Sequence, residues 1–178
     1  MTRREIEGRV LEITRGDITA QNDIDVVVNA ANAQLLPGGG VAGAIHRAAG
    51  PGLERECRPL APIRPGQAVI TGAHNLPNDR VIHVLGPVYG RDKPEAELLA
   101  SCYRNALLLA DEEGLSSIAT PAISTGAFGY PLEDAAQVAL TMIINVMKDM
   151  SSLELVRFVL FSENDRETHE RVLRKILS

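Results

Sequence analysis

The amino-acid sequence predicts an α/β protein, a three-layer α/β/α sandwich with a mixed, mostly parallel central sheet. Short apolar runs typical of strands alternate along the chain with segments of helical periodicity, which is the order seen in α/β folds. Residues 25–30 are apolar almost throughout, as expected of a strand covered on both faces. Glycine and proline stand at the junctions between these segments, where turns are required.

The first elements follow from local patterns. Residues 6–14 alternate between two faces of different polarity, which predicts an early strand. Residues 16–19 indicate a turn in which Asp17 is a candidate cap. Residues 41–49 carry small and apolar side chains at helical spacing and predict a helix. The predicted packed side of this helix consists of Ala44, Ile45, Ala48 and Ala49.

The middle of the chain predicts a short helix and two short strands. The helix is expected over residues 53–60, and the proline-rich residues 59–65 must be a loop. Strands are expected over residues 67–71 and 80–85, with a turn at 76–79 between them.

The remaining elements return to the alternation of helix and strand. A long helix is expected over residues 94–113, because Pro94 suits a first helical position and Gly114 suits a C-terminal cap. Its predicted core-facing stripe consists of Leu98, Leu99, Cys102, Tyr103, Ala106, Leu109 and Ala110. The last elements are a strand at 116–121, a helix at 131–148, a strand at 155–161 and a helix at 166–177.

Length and composition limit the classes of protein to consider. We expect residues 1–178 to form one domain, since this length suits a single substantial core. The net charge of −5 disfavours nucleic acid as a partner without excluding it. No apolar run approaches the roughly 18 residues of a membrane span, and the N-terminal residues lack the apolar stretch of a secretory signal. With two cysteines that lack metal-ligand spacing, we expect a cytoplasmic protein with no membrane partner and no metal.

Two loops without charged residues mark the candidate site. Residues 34–45 and 120–131 contain no Asp, Glu, Lys or Arg, although 23% of the chain is charged. Each loop joins a predicted strand to a helix, so both would lie at the carboxyl edge of the sheet, where α/β proteins bind ligands. Glycine-rich loops there can hold a diphosphate with backbone N–H groups alone. The alternative is that the glycines only make tight turns. A Walker loop and a Rossmann fingerprint are both excluded by their missing residues.

The chain resembles the macrodomains, ADP-ribose-binding α/β/α modules, and within them the MacroD-type and viral-type branch. Together with their spacing, the matching stretches cover essentially the full length. These stretches are Gly16-Asp17-Ile18-Thr19, Val26 to Gly50, Val81-Ile82-His83 with Gly86-Pro87, and Pro121 to Pro131.

The resemblance implies a role for each matching residue. Asp17 would accept a hydrogen bond from the adenine amino group, with the backbone of Ile18 at the ring edge; a plain cap is the alternative for Asp17. Asn32 would hold the distal ribose, and Phe128 would pack against it. Phe161 aligns with an aromatic residue that stacks on adenine in some relatives, and core packing is its alternative. The diphosphate would lie between two backbone segments, Gly39, Gly40, Val41 and Ala42 on one side and Ser124, Thr125, Gly126, Ala127 and Phe128 on the other.

Position 42 departs from the MacroD pattern. Those hydrolases usually have an aspartate in a Gly-Val-Asp-Gly-Ala-Ile-His run, where this chain has Ala42. The aspartate is proposed to orient or activate the attacking water, and a general base contributes typically about 10²–10⁴-fold. Viral-type relatives with Gly-Gly-Gly-Val-Ala-Gly are active hydrolases, whereas other relatives with alanine are regarded mainly as readers. His46, one helical turn further on, would either assist the chemistry or make a supporting hydrogen bond.

Two functions therefore stay open. The first is an enzyme that removes mono-ADP-ribose from modified protein side chains or deacetylates O-acetyl-ADP-ribose, with Asn32, His46 and Phe128 as catalytic candidates. The second is a non-catalytic reader of free or protein-linked ADP-ribose. The resemblance implies a monomer that needs no cofactor, with ADP-ribose, O-acetyl-ADP-ribose or mono-ADP-ribosylated proteins as partners.

The other candidate chemical groups are interpreted as structural. His83 lies in a predicted buried strand and is expected to make structural hydrogen bonds. His74 and His169 are expected at the surface. Cys57 and Cys102 fall on predicted helices and are expected in the core.

Overall fold

The computed structural model describes residues 1–178, which form seven strands and five α-helices around one sheet. The strands are β1 (Thr2–Ile6), β2 (Arg9–Arg15), β3 (Val26–Ala30), β4 (Ala68–Gly72), β5 (Arg80–Val84), β6 (Ser117–Thr120) and β7 (Leu155–Leu160). The helices are α1 (Gly40–Ala49), α2 (Pro51–Cys57), α3 (Glu95–Glu112), α4 (Leu132–Met147) and α5 (Glu163–Leu177). No helix is both long enough and apolar enough to cross a bilayer.

The sheet has the order β1-β2-β7-β6-β3-β5-β4. The five inner strands are parallel, and the two edge strands β1 and β4 pair antiparallel with their neighbours. The predicted mixed, mostly parallel sheet is therefore confirmed. Because the inner strands all end at the same edge, the segments that follow them converge there.

Helices cover both faces of the sheet, which confirms the three-layer sandwich. On one face, the buried side chains of α3, α4 and α5 form the larger apolar core with the strands. On the other face, α1, α2 and Ile18 form a smaller core with alternate residues of β3, β5 and β6. The smaller core supports the charge-free loop that leads into α1.

The predicted early strand is preceded by a second strand in a hairpin. The strand expected over residues 6–14 is present as β2 from Arg9, but its predicted start is wrong, because Ile6 ends β1 and a turn separates the two strands. Glu7 and Gly8 have φ angles of 52° and 81°, the left-handed values that a two-residue hairpin turn requires. Glutamate is uncommon at such a turn, so the local sequence signal was weak.

The C-terminal helix also differs from the prediction. It begins at Glu163, three residues before the predicted start, because the Ser162 hydroxyl caps it by accepting from the Asp165 N–H at 3.1 Å. The surface prediction for His169 is wrong, since this residue is only 1% exposed. Its ring packs against Phe158 with 4.7 Å between ring centroids, and its Nδ1 lies 2.7 Å from the Asp165 carbonyl oxygen.

The packed side of α1 is rotated from the predicted one. Ile45 and Ala49 are buried as predicted, but Ala44 and Ala48 are only half-buried. The other buried residues of this helix are Ala42, Gly43 and His46. The small-residue pattern allowed either side, and close contact with the preceding loop selects the one observed.

Candidate functional site

The two charge-free loops lie side by side at the carboxyl edge of the sheet. The first follows β3 and the second follows β6, and these strands are parallel neighbours in the sheet, with Val26 opposite Ile118 and Val27 opposite Ala119. Neither loop brings a charged side chain to this edge. Any ligand between the loops therefore meets mainly backbone groups.

The glycine turn packs directly on the first turn of α1. A Cβ on Gly43 would lie 2.2 Å from the carbonyl oxygen of Gly38, so only glycine allows this approach. Gly39 is the N-cap residue, and Gly40 begins the helix with a φ of 57°. The backbone N–H groups from Gly38 to Ala42 donate to no acceptor in the protein. They are available to an anion at the positive end of the α1 dipole.

The second loop is held from two sides. Its Ile123 N–H donates to the Tyr103 hydroxyl on α3 at 2.9 Å, and the Ser124 hydroxyl donates to the Pro87 carbonyl oxygen at 2.8 Å. Ser124 has a left-handed φ of 69°. A Cβ on Gly86 would lie 2.1 Å from the Ser124 Oγ, so this loop also rests on a glycine.

This anchoring leaves a second series of free donors. The backbone N–H groups from Ser124 to Phe128 have no acceptor in the protein, whereas the next two, of Gly129 and Tyr130, bond within the loop at 3.0 and 2.9 Å. Consecutive free N–H groups are a common anion-binding arrangement. The structure thus provides such donors on both predicted sides of a diphosphate.

Asp17 and Phe161 follow the ends of the neighbouring parallel strands β2 and β7. The two chain segments are joined there by a hydrogen bond from the Gly16 N–H to the Leu160 carbonyl oxygen at 3.0 Å. The Asp17 Oδ1 caps a 3-10 turn, accepting from the Thr19 N–H at 2.9 Å and the Thr19 hydroxyl at 2.7 Å. These bonds lower the pKa of Asp17. Its Oδ2 has no protein partner, so capping and ligand binding are compatible. The backbone N–H of Ile18 also has no acceptor in the protein.

Phe161 is 90% exposed, which rules out the alternative of core packing. An apolar ring of this size in water is available for stacking on a planar ligand. It directly follows β7, which is the neighbour of the strand that leads into Asp17, so both predicted adenine residues occupy the same end of the site.

Asn32 lies just before the first charge-free loop, and Phe128 lies on the second. The Asn32 side-chain amide bonds the backbone of Leu36, and Phe128 is half-buried with its carbonyl oxygen accepting from the Tyr89 N–H at 2.9 Å. Tyr89 packs edge-on against Tyr130 with ring centroids 4.8 Å apart. Both predicted ribose residues are thus held by hydrogen bonds to backbone groups of the protein.

Ala42 and His46 are both buried on α1 at about 5% exposure. Neither ring nitrogen of His46 has a hydrogen-bond partner in the protein. Burial lowers the pKa of His46, an effect partly opposed by Glu54. The imidazole is therefore neutral near pH 7.

The other histidine and cysteine side chains considered from the sequence are structural. As predicted, His83 is buried and bonded, with its Nδ1 3.0 Å from Asn29 Nδ2 and its Nε2 2.9 Å from Thr71 Oγ1. Cys57 and Cys102 are buried as expected, and burial raises the pKa of their thiols to about 11 and about 12. No group of three or more His, Cys, Asp or Glu side chains is arranged to hold a metal ion.

Comparison with known proteins agrees with this geometry. The Macro domain family model matches residues 28–139. The chain belongs to the macro domain family. A curated O-acetyl-ADP-ribose deacetylase from Klebsiella pneumoniae is 48% identical in an alignment of 167 residues that covers 91% of this chain and 95% of that protein. A macro domain-containing protein from Chlorobaculum tepidum is 48% identical over 92% of this chain and 95% of its own length.

Solved macrodomains share the fold closely. One from Oceanobacillus iheyensis, solved with ADP, superposes with a TM-score of 0.94 at 42% identity and covers 99% of this chain and 96% of that one. One from Trypanosoma brucei, solved in complex with ADP-ribose, has a TM-score of 0.85 at 38% identity and covers 92% of this chain and 68% of that one.

Two supports of this macro domain site were not predicted as such. Tyr103 belongs to the predicted core stripe of α3, but the role of its hydroxyl in anchoring the second loop had no local signal. Gly43 lies inside a helix, where glycine costs about 1 kcal/mol relative to alanine. That cost is the one signal that could have indicated the close approach of Gly38.

Proposed function

We propose that this macro domain binds ADP-ribose and hydrolyses the acetyl ester of O-acetyl-ADP-ribose to acetate and ADP-ribose. The observation that carries the proposal is the pair of backbone segments, Gly38 to Ala42 and Ser124 to Phe128, whose N–H groups lack acceptors at the ends of neighbouring strands. The deacetylase name of relatives at 46–48% identity supports the reaction. The relatives solved with ADP and ADP-ribose support the ligand.

The adenine ring is proposed to bind at the end of β2. The free Oδ2 of Asp17 accepts from the 6-amino group, and the Ile18 N–H donates to the neighbouring ring nitrogen. Phe161 stacks on the ring face, an interaction worth roughly 1–3 kcal/mol per base. This end of the ligand is recognised by side chains and one peptide group.

The diphosphate is proposed to lie between the two charge-free loops. One phosphate receives N–H groups of Gly39, Gly40 and Val41 at the α1 N-terminus, and the other receives those of Ser124 to Phe128. Backbone donors allow a protein of net charge −5 to bind a dianion without lysine or arginine at the loops. The distal ribose then reaches Asn32 and Phe128.

The chemistry is hydrolysis of an ester at the distal ribose. Water adds to the acetyl carbonyl carbon, the bond from this carbon to the ribose oxygen breaks, and the ribose oxygen takes a proton to give ADP-ribose and acetate. Ala42 offers no carboxylate to activate the water. In the proposal the Asn32 amide and a phosphate oxygen of the substrate hold the water instead.

A reader module is the second candidate, and a specific observation favours it. Residues 34–45 and 120–131 carry no Asp, Glu, Lys, Arg or His side chain, and His46 is buried at 5% exposure with a lowered pKa. A missing general base removes about 3–5 kcal/mol of barrier lowering. Such a site binds ADP-ribose and turns over slowly or not at all.

One assay separates the two candidates. The protein is incubated with O-acetyl-ADP-ribose, and in parallel with a protein mono-ADP-ribosylated on glutamate, and release of ADP-ribose is followed. ADP-ribose binding is measured on the same samples by calorimetry. We expect the wild type to bind ADP-ribose and to release it from the acetyl ester, and Asn32→Ala to lose turnover.

Ala42→Asp is the informative companion variant. If Ala42→Asp raises the rate of hydrolysis while the affinity for ADP-ribose stays similar, the new carboxylate activates the water better than Asn32 and the substrate phosphate do in the wild type. A wild type that binds ADP-ribose but releases none from either substrate is a reader, and the enzymatic proposal fails. Release from the protein substrate alone assigns the chain to mono-ADP-ribosyl-protein hydrolysis.

We further propose that the protein is a monomer in the cytoplasm. Both cysteines are free and buried, as suits a reducing compartment. Light scattering on the purified chain tests the monomer, and fractionation of the source cells tests the compartment.

A further inference from the structure

A partly buried polar network links β7 to the turn that carries Asp17. Arg157 on β7 is 9% exposed and makes a bidentate pair with Asp23, each bond 2.8 Å long. Its Nη1 also donates to Gln21 Oε1 at 3.0 Å. Gln21, itself 9% exposed, donates from Nε2 to the Asp17 carbonyl oxygen at 2.8 Å.

The orientation of the Gln21 amide is determined by its partners. An arginine side chain can only donate, so the oxygen of Gln21 must face Arg157 and its NH₂ group must face Asp17. A carbonyl oxygen can only accept, which matches that assignment. A rotation of the side-chain amide by 180° would place its NH₂ group against Arg157 and its oxygen against the Asp17 carbonyl oxygen, so neither hydrogen bond could form.

The bond to the Asp17 carbonyl also orients the Ile18 N–H. These two groups belong to one planar peptide unit and point in opposite directions. The Asp17 carbonyl oxygen accepts from Gln21 Nε2 at 2.8 Å and also from the Ala20 N–H of the 3-10 turn at 3.0 Å. Because these two donors hold the carbonyl, the Ile18 N–H is directed away from Gln21, and it has no acceptor in the protein. The same peptide leads from Asp17, whose Oδ2 is also free.

We propose that Gln21, oriented by Arg157, is a positioning residue that sets the specificity of the site for a 6-aminopurine. It directs the Ile18 N–H toward the ring nitrogen that accepts in adenine. In a 6-oxopurine this nitrogen carries a hydrogen, and the carbonyl oxygen faces the Asp17 carboxylate, so both contacts are mismatched. The inference rests on the proposed ADP-ribose site and adds the group that gives it base selectivity.

The test is a ratio of two affinities. Calorimetry measures binding of ADP-ribose and of its hypoxanthine analogue, in which an oxygen replaces the 6-amino group. We expect the wild type to prefer ADP-ribose by about tenfold or more, since each mismatch leaves a polar group unpaired. In Gln21→Glu, which keeps the contact with Arg157 but loses the donor to Asp17, we expect the preference to fall by about threefold or more, because only the mismatch at the Asp17 carboxylate then remains in full.

Two further variants serve as a second test of Gln21 and as a control for the change of charge. Gln21→Met has a similar length and adds no charge, so it keeps the test valid if Gln21→Glu does not fold. Gln137→Glu makes the same change of charge on the exposed side of α4, where the glutamine donates to Thr141 at 3.3 Å. We expect this control to keep the wild-type preference.

If both Gln21 variants keep the wild-type preference for ADP-ribose over the hypoxanthine analogue, the inference is wrong. An equal loss of affinity for both ligands also overturns it, because a purely structural role weakens the site without changing its selectivity. A wild type that binds neither ligand overturns the proposed function itself, and is thereby distinguished from a failure of the inference alone.

Discussion

The side-chain amide of Asn32 bonds both backbone groups of Leu36: Nδ2 donates to the carbonyl oxygen at 2.7 Å, and Oδ1 accepts from the N–H at 3.0 Å. The residue proposed to hold the distal ribose thus also shapes the loop before the glycine turn. One amide hydrogen and the remaining lone pairs are left for a ligand. The loop and the ribose can share this side chain, and their contributions can be separated by choice of ligand.

Asn32→Ala is expected to weaken ADP-ribose binding about tenfold while changing ADP binding by less than about threefold. ADP lacks the distal ribose but contains the adenine and both phosphates, so only contacts to the ribose differ between the two ligands. Calorimetry with each ligand gives the comparison. If both affinities fall by the same factor, Asn32 acts only through the shape of the loop.

Gly43→Ala is expected to displace the glycine turn. Its methyl group would lie 2.2 Å from the Gly38 carbonyl oxygen, a backbone atom that can move only if the turn leaves α1. We expect a lower melting temperature and a loss of ADP-ribose affinity of tenfold or more, about 1.4 kcal/mol. Gly126→Ala is the stability control, since a methyl group there meets no atom within 4 Å. Equal melting temperatures for the two variants would contradict the close approach.

Phe161→Ala is expected to weaken ADP-ribose binding without destabilising the fold. The side chain is 90% exposed, so its removal costs little core packing, whereas a lost stacking contact costs roughly 1–3 kcal/mol. The matched control is Leu177→Ala, another exposed apolar residue at 44% exposure. Unchanged affinity in Phe161→Ala would remove this residue from the adenine site.

Much of the architecture could be predicted because each inner element carries its own signal. The apolar run of β3 and the capping pattern of α3 are local, and the alternation of strands and helices determines that the following loops share an edge. The absence of charge in residues 34–45 and 120–131 is equally local. Fold and candidate site therefore follow from the order of short patterns.

What could not be predicted depends on contacts between distant residues. Arg157 and Gln21 are 136 positions apart, and neither belongs to a motif. The Tyr103 hydroxyl reaches Ile123 only after α3 packs on the sheet. His169 was misplaced because its burial against Phe158 is set by the packing of α5 on the sheet. Contacts of this kind, between residues far apart in the chain, leave no periodic pattern in the sequence that could predict them.

The buried His83 makes the stability of the protein depend on pH below neutrality. Burial, reinforced by the neighbouring His46, lowers the pKa of His83 to about 3. In the unfolded chain a histidine takes up a proton below about pH 6.5. Between these two values the unfolded state binds more protons than the folded state, so the free energy of unfolding falls as the pH drops.

His83 alone is expected to remove about 2 kcal/mol of stability between pH 7 and pH 5, since each pH step below 6.5 costs about 1.4 kcal/mol. His83→Gln cannot take up a proton and still offers an amide to Asn29 and Thr71, so its stability should depend less steeply on pH over this interval. A residual slope is expected from His46 and His169, because burial lowers the pKa of both. Urea unfolding at pH 7 and pH 5 measures the difference, and an identical loss in both proteins would show that His83 does not take up the proton on unfolding.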